Sequence, residues 1–437
     1  MSIDFKSPTE FVPPSMRPRP RQVVIEAARA ILDPEEGAVD NARLTIEDGV
    51  LVRVETGVSF DQGPESRQQG QEEGQEERYR LDDGYLIPGL IEAHCHLIYP
   101  GQARGGNLPQ FSREEQLLVA ADNLRLALDS GLTLVQDCGA PDTLGQSVAK
   151  MVKDGWIEGP RVLASGAPLT VTGGHCNQWG MEVDTVPEAV RAVRWLKKSG
   201  ADFVKVMASG GGTPGTEPHE AYFPQDMLEA VVEEAHLWGL RVVAHTTTPE
   251  STRRCLEAGV DSLDHVEFLT SRTSYEIDPR LIERIAESGS FVCPTLTASW
   301  RGTVEMIEED RAGLVGPDQQ WRLDFRRLLV SQSMEGFEAL VRAGARIAAG
   351  TDAGTGQNPI DDIALELQLM AKYGMSRKQV LTSVTKLAAE AVGMKGSLGV
   401  LKPGHLADCV LLQANPLEDI KAYEQVKAVF VGGRKLR

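Results

Sequence analysis

From Gly84 to Asp352 the chain alternates eight short, β-branched runs with amphipathic stretches, and this rhythm restricts the fold more than any other feature. The runs are Tyr85–His96, Thr133–Cys138, Arg161–Ser165, Phe203–Met207, Val242–His245, Ser262–Glu267, Phe291–Thr295 and Ile347–Asp352. Between them lie helix-like segments such as Arg113–Ser130, Val186–Ser199, Pro224–Trp238, Ser251–Ala258 and Gln319–Ala343. A strand that is apolar throughout is buried on both faces, as in a parallel sheet covered by its crossover helices. Eight such repeats predict an α/β fold, specifically a closed (β/α)8 TIM barrel. The open doubly wound sheet is the structural alternative, but no GxGxxG turn follows the first run.

The flanks have a different texture. Residues 1–19 are Pro-rich and read as an N-terminal arm. Val23–Ile25, Arg43–Ile46 and Val50–Val54 are short strands, the last two joined by an Asp48-Gly49 hairpin signal. Leu401–Leu412 and Val426–Gly433 return to strand texture after the barrel. The segments 20–84 and 396–437 therefore predict one small composite β-sandwich domain, with the barrel at 85–395 inserted between them. Asp61–Arg78 has almost no apolar residue and reads as a solvated loop.

Charge and cysteine content narrow the setting. The formal net charge of −18 opposes a phosphate backbone or an anionic membrane, so neither nucleic acid nor membrane is an expected partner. Six scattered cysteines with no CxxC pair read as reduced thiols, and no run approaches a membrane span. A cytoplasmic protein acting on a small molecule is the expectation.

The chemistry sits where the apolar runs stop. On a strand, residues i and i+2 face one side, so His94 and His96 point together while Cys95 points away. Two neutral imidazoles at a strand end suit a borderline metal such as zinc. Lys205 lies inside an apolar strand, where a charged amine is costly. Either it pairs with a carboxylate or reaches the rim, or burial and cations lower its pKa so that the neutral amine captures carbon dioxide. His245, His265 and Asp352 each end a further run, at the face where barrels of this kind carry their sites.

The set HxH, Lys, His, His, Asp on runs one, four, five, six and eight resembles the amidohydrolase superfamily. The surrounding wording, including PGLIEAHCH, LTVTGGH, DFVKVMASGG, GVDSLDH, AAGTDAG and LKPGHLADCVLL, is similar to the branch of imidazolonepropionase-like enzymes and Xaa-Pro dipeptidases. The likeness spans residues ~84–412, and the motifs are specific in combination. It implies two divalent ions, commonly zinc. His94, His96 and Asp352 would hold one, His245 and His265 the other, and a carbon dioxide-derived carbamate on Lys205 would bridge them. It also implies a homo-oligomer.

The implied reaction is cleavage of an amide-like C–N bond by a metal-bridging hydroxide, with Asp352 as base and then acid. The substrate class is an N-acyl amino acid or an Xaa-Pro-type dipeptide, with urea or carbamate compounds next. Ester, lactone or phosphotriester hydrolysis on the same ions is the enzymatic alternative, and a non-catalytic scaffold the other. His175, in a Gly-containing loop after run three, and Tyr222, which resembles the dipeptidases' carbonyl-binding tyrosine, are further catalytic candidates. Arg104 and Trp179 are candidate pocket-lining residues. His219 and His236 read as ordinary. The Thr246–Thr248 run and Cys176–Trp179 depart from the branch at positions expected to touch substrate.

Overall fold

The computed structural model describes residues 22–60, 76–101, 111–313, 315–316, 320–356 and 358–437. The 1–19 arm, Arg104 and most of the acidic insert lie outside the described residues. At the end of that insert Glu77–Leu81 is a strand, in parallel register with Gln22–Ala30. The loop expected over 61–78 therefore ends earlier, because Tyr79 and Leu81 have an apolar cluster to pack on.

The central strands are β1 (Leu90–Cys95), β2 (Leu132–Asp137), β3 (Arg161–Ala164), β4 (Phe203–Met207), β5 (Arg241–Thr246), β6 (Ser262–His265), β7 (Phe291–Cys293) and β8 (Arg346–Ile347). All pair in parallel: β1, β2 and β3 form one sheet, and β4 to β8 run in sequence order through another. Backbone bonds join the two sheets. Ala93 N donates to Ala349 O, Asp352 N to His94 O and His96 N to Ala353 O along the β1–β8 edge. On the other side Asp202 N donates to Ala164 O, and Leu169–Thr170, just beyond β3, pairs with β4. The result is a mixed α/β, TIM-barrel-like arrangement.

Helices follow the strands for local reasons. Ser112 and Glu115 form a capping box ahead of helix Arg113–Asp129. Thr248 caps helix Pro249–Ala258, whose proline occupies the first turn and whose end is closed by Gly259 at φ 80°. The long helix Gln320–Ala343 follows helix Leu296–Arg311 in the connection from β7 to β8.

The run read as one strand from Tyr85 to His96 is two strands broken at Gly89. A side chain at Gly89 would collide with Thr133 at 2.0 Å, so the chain passes close to β2 there and changes sheet. Tyr85–Pro88 joins the terminal sheet instead of the central one. That sheet has eight strands in the order Arg434–Lys435, Val426–Val431, Cys409–Leu412, Tyr85–Pro88, Gln22–Ala30, Val39–Glu47 and Val50–Glu55, with Glu77–Leu81 beside Gln22–Ala30. Among the described residues it is a single hydrogen-bonded path that forks at Gln22–Ala30, where residues 23–27 pair with Glu77–Leu81 and Ala30 with Leu86. Asp48 and Gly49, at φ 48° and 83°, make the expected tight hairpin turn. Ile25, Leu44, Ile46, Leu86, Leu411 and Phe430 form its core. No helix among the described residues is long and apolar enough to cross a membrane.

Candidate metal centre

The C-terminal ends of β1, β4, β5, β6 and β8 converge on one buried cluster. His94 lies 3.4 Å and His96 3.1 Å from Asp352 Oδ1, each through Nε2. The His94 ring stands 5.2 Å from that of His265, which is 4.7 Å from His245. Lys205 is 1% exposed and His245 7%. Thus all six residues expected to ligate metal are brought together.

Three of the four imidazoles are oriented from behind. His96 Nδ1 is 3.2 Å from Gly139 O, His245 Nε2 2.9 Å from Gly210 O, and His265 Nδ1 2.6 Å from Thr295 Oγ1. Partners of this kind fix ring orientation and tautomer in metal sites. Asp352 reaches the cluster from a left-handed backbone, φ 58°, within the chain that returns to β1.

Asp264 was not expected in the site. Period-two reasoning from His265 places it on the opposite side of the strand. The backbone turns left-handed at His265 and Val266, φ 66° and 52°, so both side chains reach the interior by different routes. Asp264 pairs with Lys205, and its Oδ2 is 3.1 Å from His94 Nδ1. The apolar strand around Lys205 carried the signal, since a buried ammonium requires a buried anion nearby.

This pairing matches the first of the alternatives that the sequence leaves open for Lys205, a carboxylate partner. Burial alone lowers its pKa, but the charge of Asp264 outweighs burial and raises it, so the unliganded amine is held as an ammonium. Burial likewise opposes ionisation of Asp264, which the charges of His94 and Lys205 nevertheless pull well below the carboxylate range. His94 is pushed down by burial and then lifted by Asp264 to about 9. Burial drives His265 down to about 3 and His245 well below its ordinary value. Asp352 is disfavoured as an anion by burial, but hydrogen bonds from His94 and His96 hold it well below the usual range.

The donor set fits a divalent ion. His94 Nδ1 and Asp264 Oδ1 are buried without a well-directed hydrogen bond. His94, His96 and Asp352 offer ligand atoms within 4.8 Å of one another, as do His94, Asp264 and Cys293. Neutral imidazoles facing carboxylates are the chemistry of zinc and its neighbours.

His175 and Tyr222 flank this cluster. The His175 ring is 4.6 Å from His245, and its Nδ1 is 2.8 Å from Thr213 Oγ1, which also accepts from Cys176 N. Burial lowers the pKa of His175 to about 4, which leaves a neutral ring. Tyr222 Oη accepts from Glu217 N at 2.9 Å. His219 and His236 stay outside: His219 lies beside Glu217 and Glu220, and His236 bonds Asp261 on the surface.

The hydroxyls of the threonine run after His245 are engaged within the chain. Thr246 Oγ1 bonds Asp264 O, Thr247 holds Ser209 and Pro218 O, and Thr248 caps the following helix. All three are buried, so their hydroxyls are consumed by the scaffold. The six cysteines are buried and unpaired.

Residues 85–436 match the amidohydrolase family. The chain is 31% identical to ochratoxinase of Aspergillus niger over 382 residues, 79% of this chain and 73% of that one. A crystal structure of a Xaa-Pro dipeptidase with bound methionine superposes with a TM-score of 0.81 at 24% identity, over 95% of this chain and all of that one. A putative prolidase from Bifidobacterium longum does so at 0.77 and 27% identity, over 96% and 95% of the two chains. With its strand-end cluster and these likenesses together, the chain belongs to the amidohydrolase family and is a hydrolase of amide-like carbon–nitrogen bonds.

Proposed function

We propose that this enzyme holds two divalent ions, zinc by donor chemistry, and cleaves the amide bond of an N-acyl amino acid or an Xaa-Pro-type dipeptide. The observation that carries this is the convergence of His94, His96, His245, His265 and Asp352 on Lys205. His94, His96 and Asp352 would hold one ion, and His245 and His265 the other. Lys205, carboxylated, would bridge them. In that modification the amine nitrogen bonds the carbon of carbon dioxide and the starting ammonium gives up two protons, so the Lys205–Asp264 pair must open. The putative prolidase from Bifidobacterium longum, by its name, supports the dipeptide class. The backbone bonds at the β1–β8 and β3–β4 edges support a closed eight-stranded barrel over 85–395, with the forked sheet of 20–84 and 396–437 as a separate domain.

Bound divalent ions supply a water that is nucleophilic near neutral pH and a Lewis acid for the substrate carbonyl. The rest falls to the chain. Asp352, ionised and 18% exposed at its side chain, takes a proton from the attacking water and returns it to the leaving nitrogen. If Thr213 gives its hydroxyl proton to His175 Nδ1, the neutral ring carries its hydrogen on Nε2 and offers it to the carbonyl oxygen. Tyr222 already accepts at Oη, so its own proton is free to serve as a second donor. Metal analysis of the purified protein, coupled to a screen of dipeptides, N-acyl amino acids, aryl carbamates and aryl esters, tests this. Two metals per chain with amide turnover is the expected result; a metal-free active protein, or turnover of esters alone, refutes it.

A further inference from the structure

Trp179 and Tyr99 have no part in the chemistry above, yet both rings stand against a residue that does. The Tyr99 ring is 5.8 Å and the Trp179 ring 6.2 Å from that of His96, each edge-on at 74°, and the two are 6.0 Å from one another. The three rings make a corner, and His96 connects it to Asp352 at 3.1 Å. Two loops must be held for the corner to exist, and both are. Asn123, 2% exposed, donates to Leu97 O and Tyr99 O at 2.8 Å, and Gly101 N bonds Gly354 O. Trp179 N and Gly180 N both bond Cys176 O, which winds the β3 loop back over β2. At the end of β2, Gly139 admits the indole: a side chain there would lie 2.6 Å from it.

Such a corner is expensive to leave facing water. Trp179 and Tyr99 are only partly buried, and neither the indole nitrogen nor the phenol has a hydrogen-bond partner among the described residues. Edge-on rings at these distances leave faces for a further ring, and such pairs are worth roughly 0.5–1.5 kcal/mol beyond the area they bury. We infer that Tyr99 and Trp179 form a specificity subsite that receives a planar apolar ring of the substrate, within a few bonds of the scissile amide, so that the preferred substrates are aromatic amides. The inference rests on the amide reaction proposed above and names its substrate class more closely.

The test is a selectivity ratio. N-benzoylglycine is compared with N-acetylglycine, which places the ring on the acyl side, and N-acetylphenylalanine with N-acetylalanine, which places it on the amine side. In Trp179→Ala the ring-bearing over ring-lacking ratio of kcat/KM should fall roughly 10- to 100-fold for at least one pair, a range typical of losing one apolar contact region. Trp179→Phe should restore most of it, and Tyr99→Ala provides a second variant should the first not fold. A residue that merely buttresses His96 would lower metal content and both members of a pair together; that result, or no change in either ratio, overturns the subsite. Equilibrium binding of benzoate against acetate, and of phenylalanine against alanine, separates this idea from the reaction itself. If the wild type hydrolyses none of the four amides the reaction is at fault, and a ring preference in binding that Trp179→Ala abolishes still upholds the corner. A wild type that binds ring-bearing and ring-lacking ligands alike overturns it.

Discussion

Asp352, 18% exposed at its side chain, and Asp408, fully enclosed, are both carboxylates placed by strand ends, and their surroundings could hardly differ more. Asp408, at the terminal sheet, receives Arg161 through two parallel bonds of 2.8 and 3.0 Å and the amide of Gly432 at 2.7 Å. Every acceptor is answered by a donor that cannot release its proton at ordinary pH. Asp352 faces two imidazoles, groups that exchange protons and bind metals. The comparison teaches that burial alone says nothing about role. On the reaction proposed for Asp352, what separates a structural carboxylate from a reactive one is whether its partners are fixed cations or exchangeable ligands.

The largest effects should fall on the reactive side. Lys205→Ala removes the amine that the carbamate would be built on and leaves His94 as the remaining partner of Asp264. Metal content and turnover should both be lost, as read by elemental analysis and by assay. A variant that keeps two metals and near-native rate would show that the bridge is not needed. Asp352→Asn keeps the shape but cannot accept a proton. Its kcat should fall roughly 10²- to 10⁴-fold, the usual worth of a positioned base, while a competitive ligand still binds. An unchanged kcat would remove Asp352 from proton transfer.

Glu92 is an intermediate case that sharpens the contrast. It is fully buried two residues before His94, and accepts from His94 N, Thr351 N and Thr351 Oγ1 without any cation. Burial therefore dominates those bonds and raises its pKa from 4.5 to about 8. A carboxyl with a raised folded-state pKa binds its proton more tightly when folded. Its contribution is complete below pH 4.5 and is lost as pH climbs through about 8. Glu92→Gln mimics the protonated form. Compared with wild type, the variant should lose less stability between those limits, seen in paired thermal melts at a series of pH values. Parallel pH profiles would place Glu92 outside the linkage.

Much of this was legible in the chain. Because a doubly buried parallel strand leaves no room for polar alternation, the β-branched runs located seven of the central strands, and the eighth run met its strand only at Ile347. The ligand-type residues followed because each stands where its run stops. The unreadable parts depend on tertiary paths. Gly89 moves Tyr85–Pro88 into another sheet because of a close approach to Thr133, which no local pattern announces. Asp264 keeps strand register with His245 and Cys293, and it is His265 that reaches the site through a left-handed backbone, which the strand period cannot foresee. The partners of Thr246, Thr247 and Thr248 were also hidden, because a loop sequence does not reveal which hydroxyls the backbone will claim.

The smallest effect should come from the structural carboxylate, and its direction is what distinguishes the two classes. Asp408→Asn retains one acceptor for the Gly432 amide or for Arg161, but forfeits the paired charge. Arg161 is about one third exposed at its side chain, so water screens part of the loss. A destabilisation of about 1–2 kcal/mol is expected, the low end of the value for a hydrogen bond to a charged group once that screening is taken off. Because β3 starts at Arg161 and its far end leads toward the His175 loop, the same contact ties the terminal sheet to a strand of the site. Chemical denaturation should therefore show a lower midpoint, while metal content and the kcat of the folded fraction stay at wild-type values. Loss of metal from folded Asp408→Asn protein would mean that the fixed cation pair also positions the reactive centre, and the division between the two kinds of carboxylate would fail.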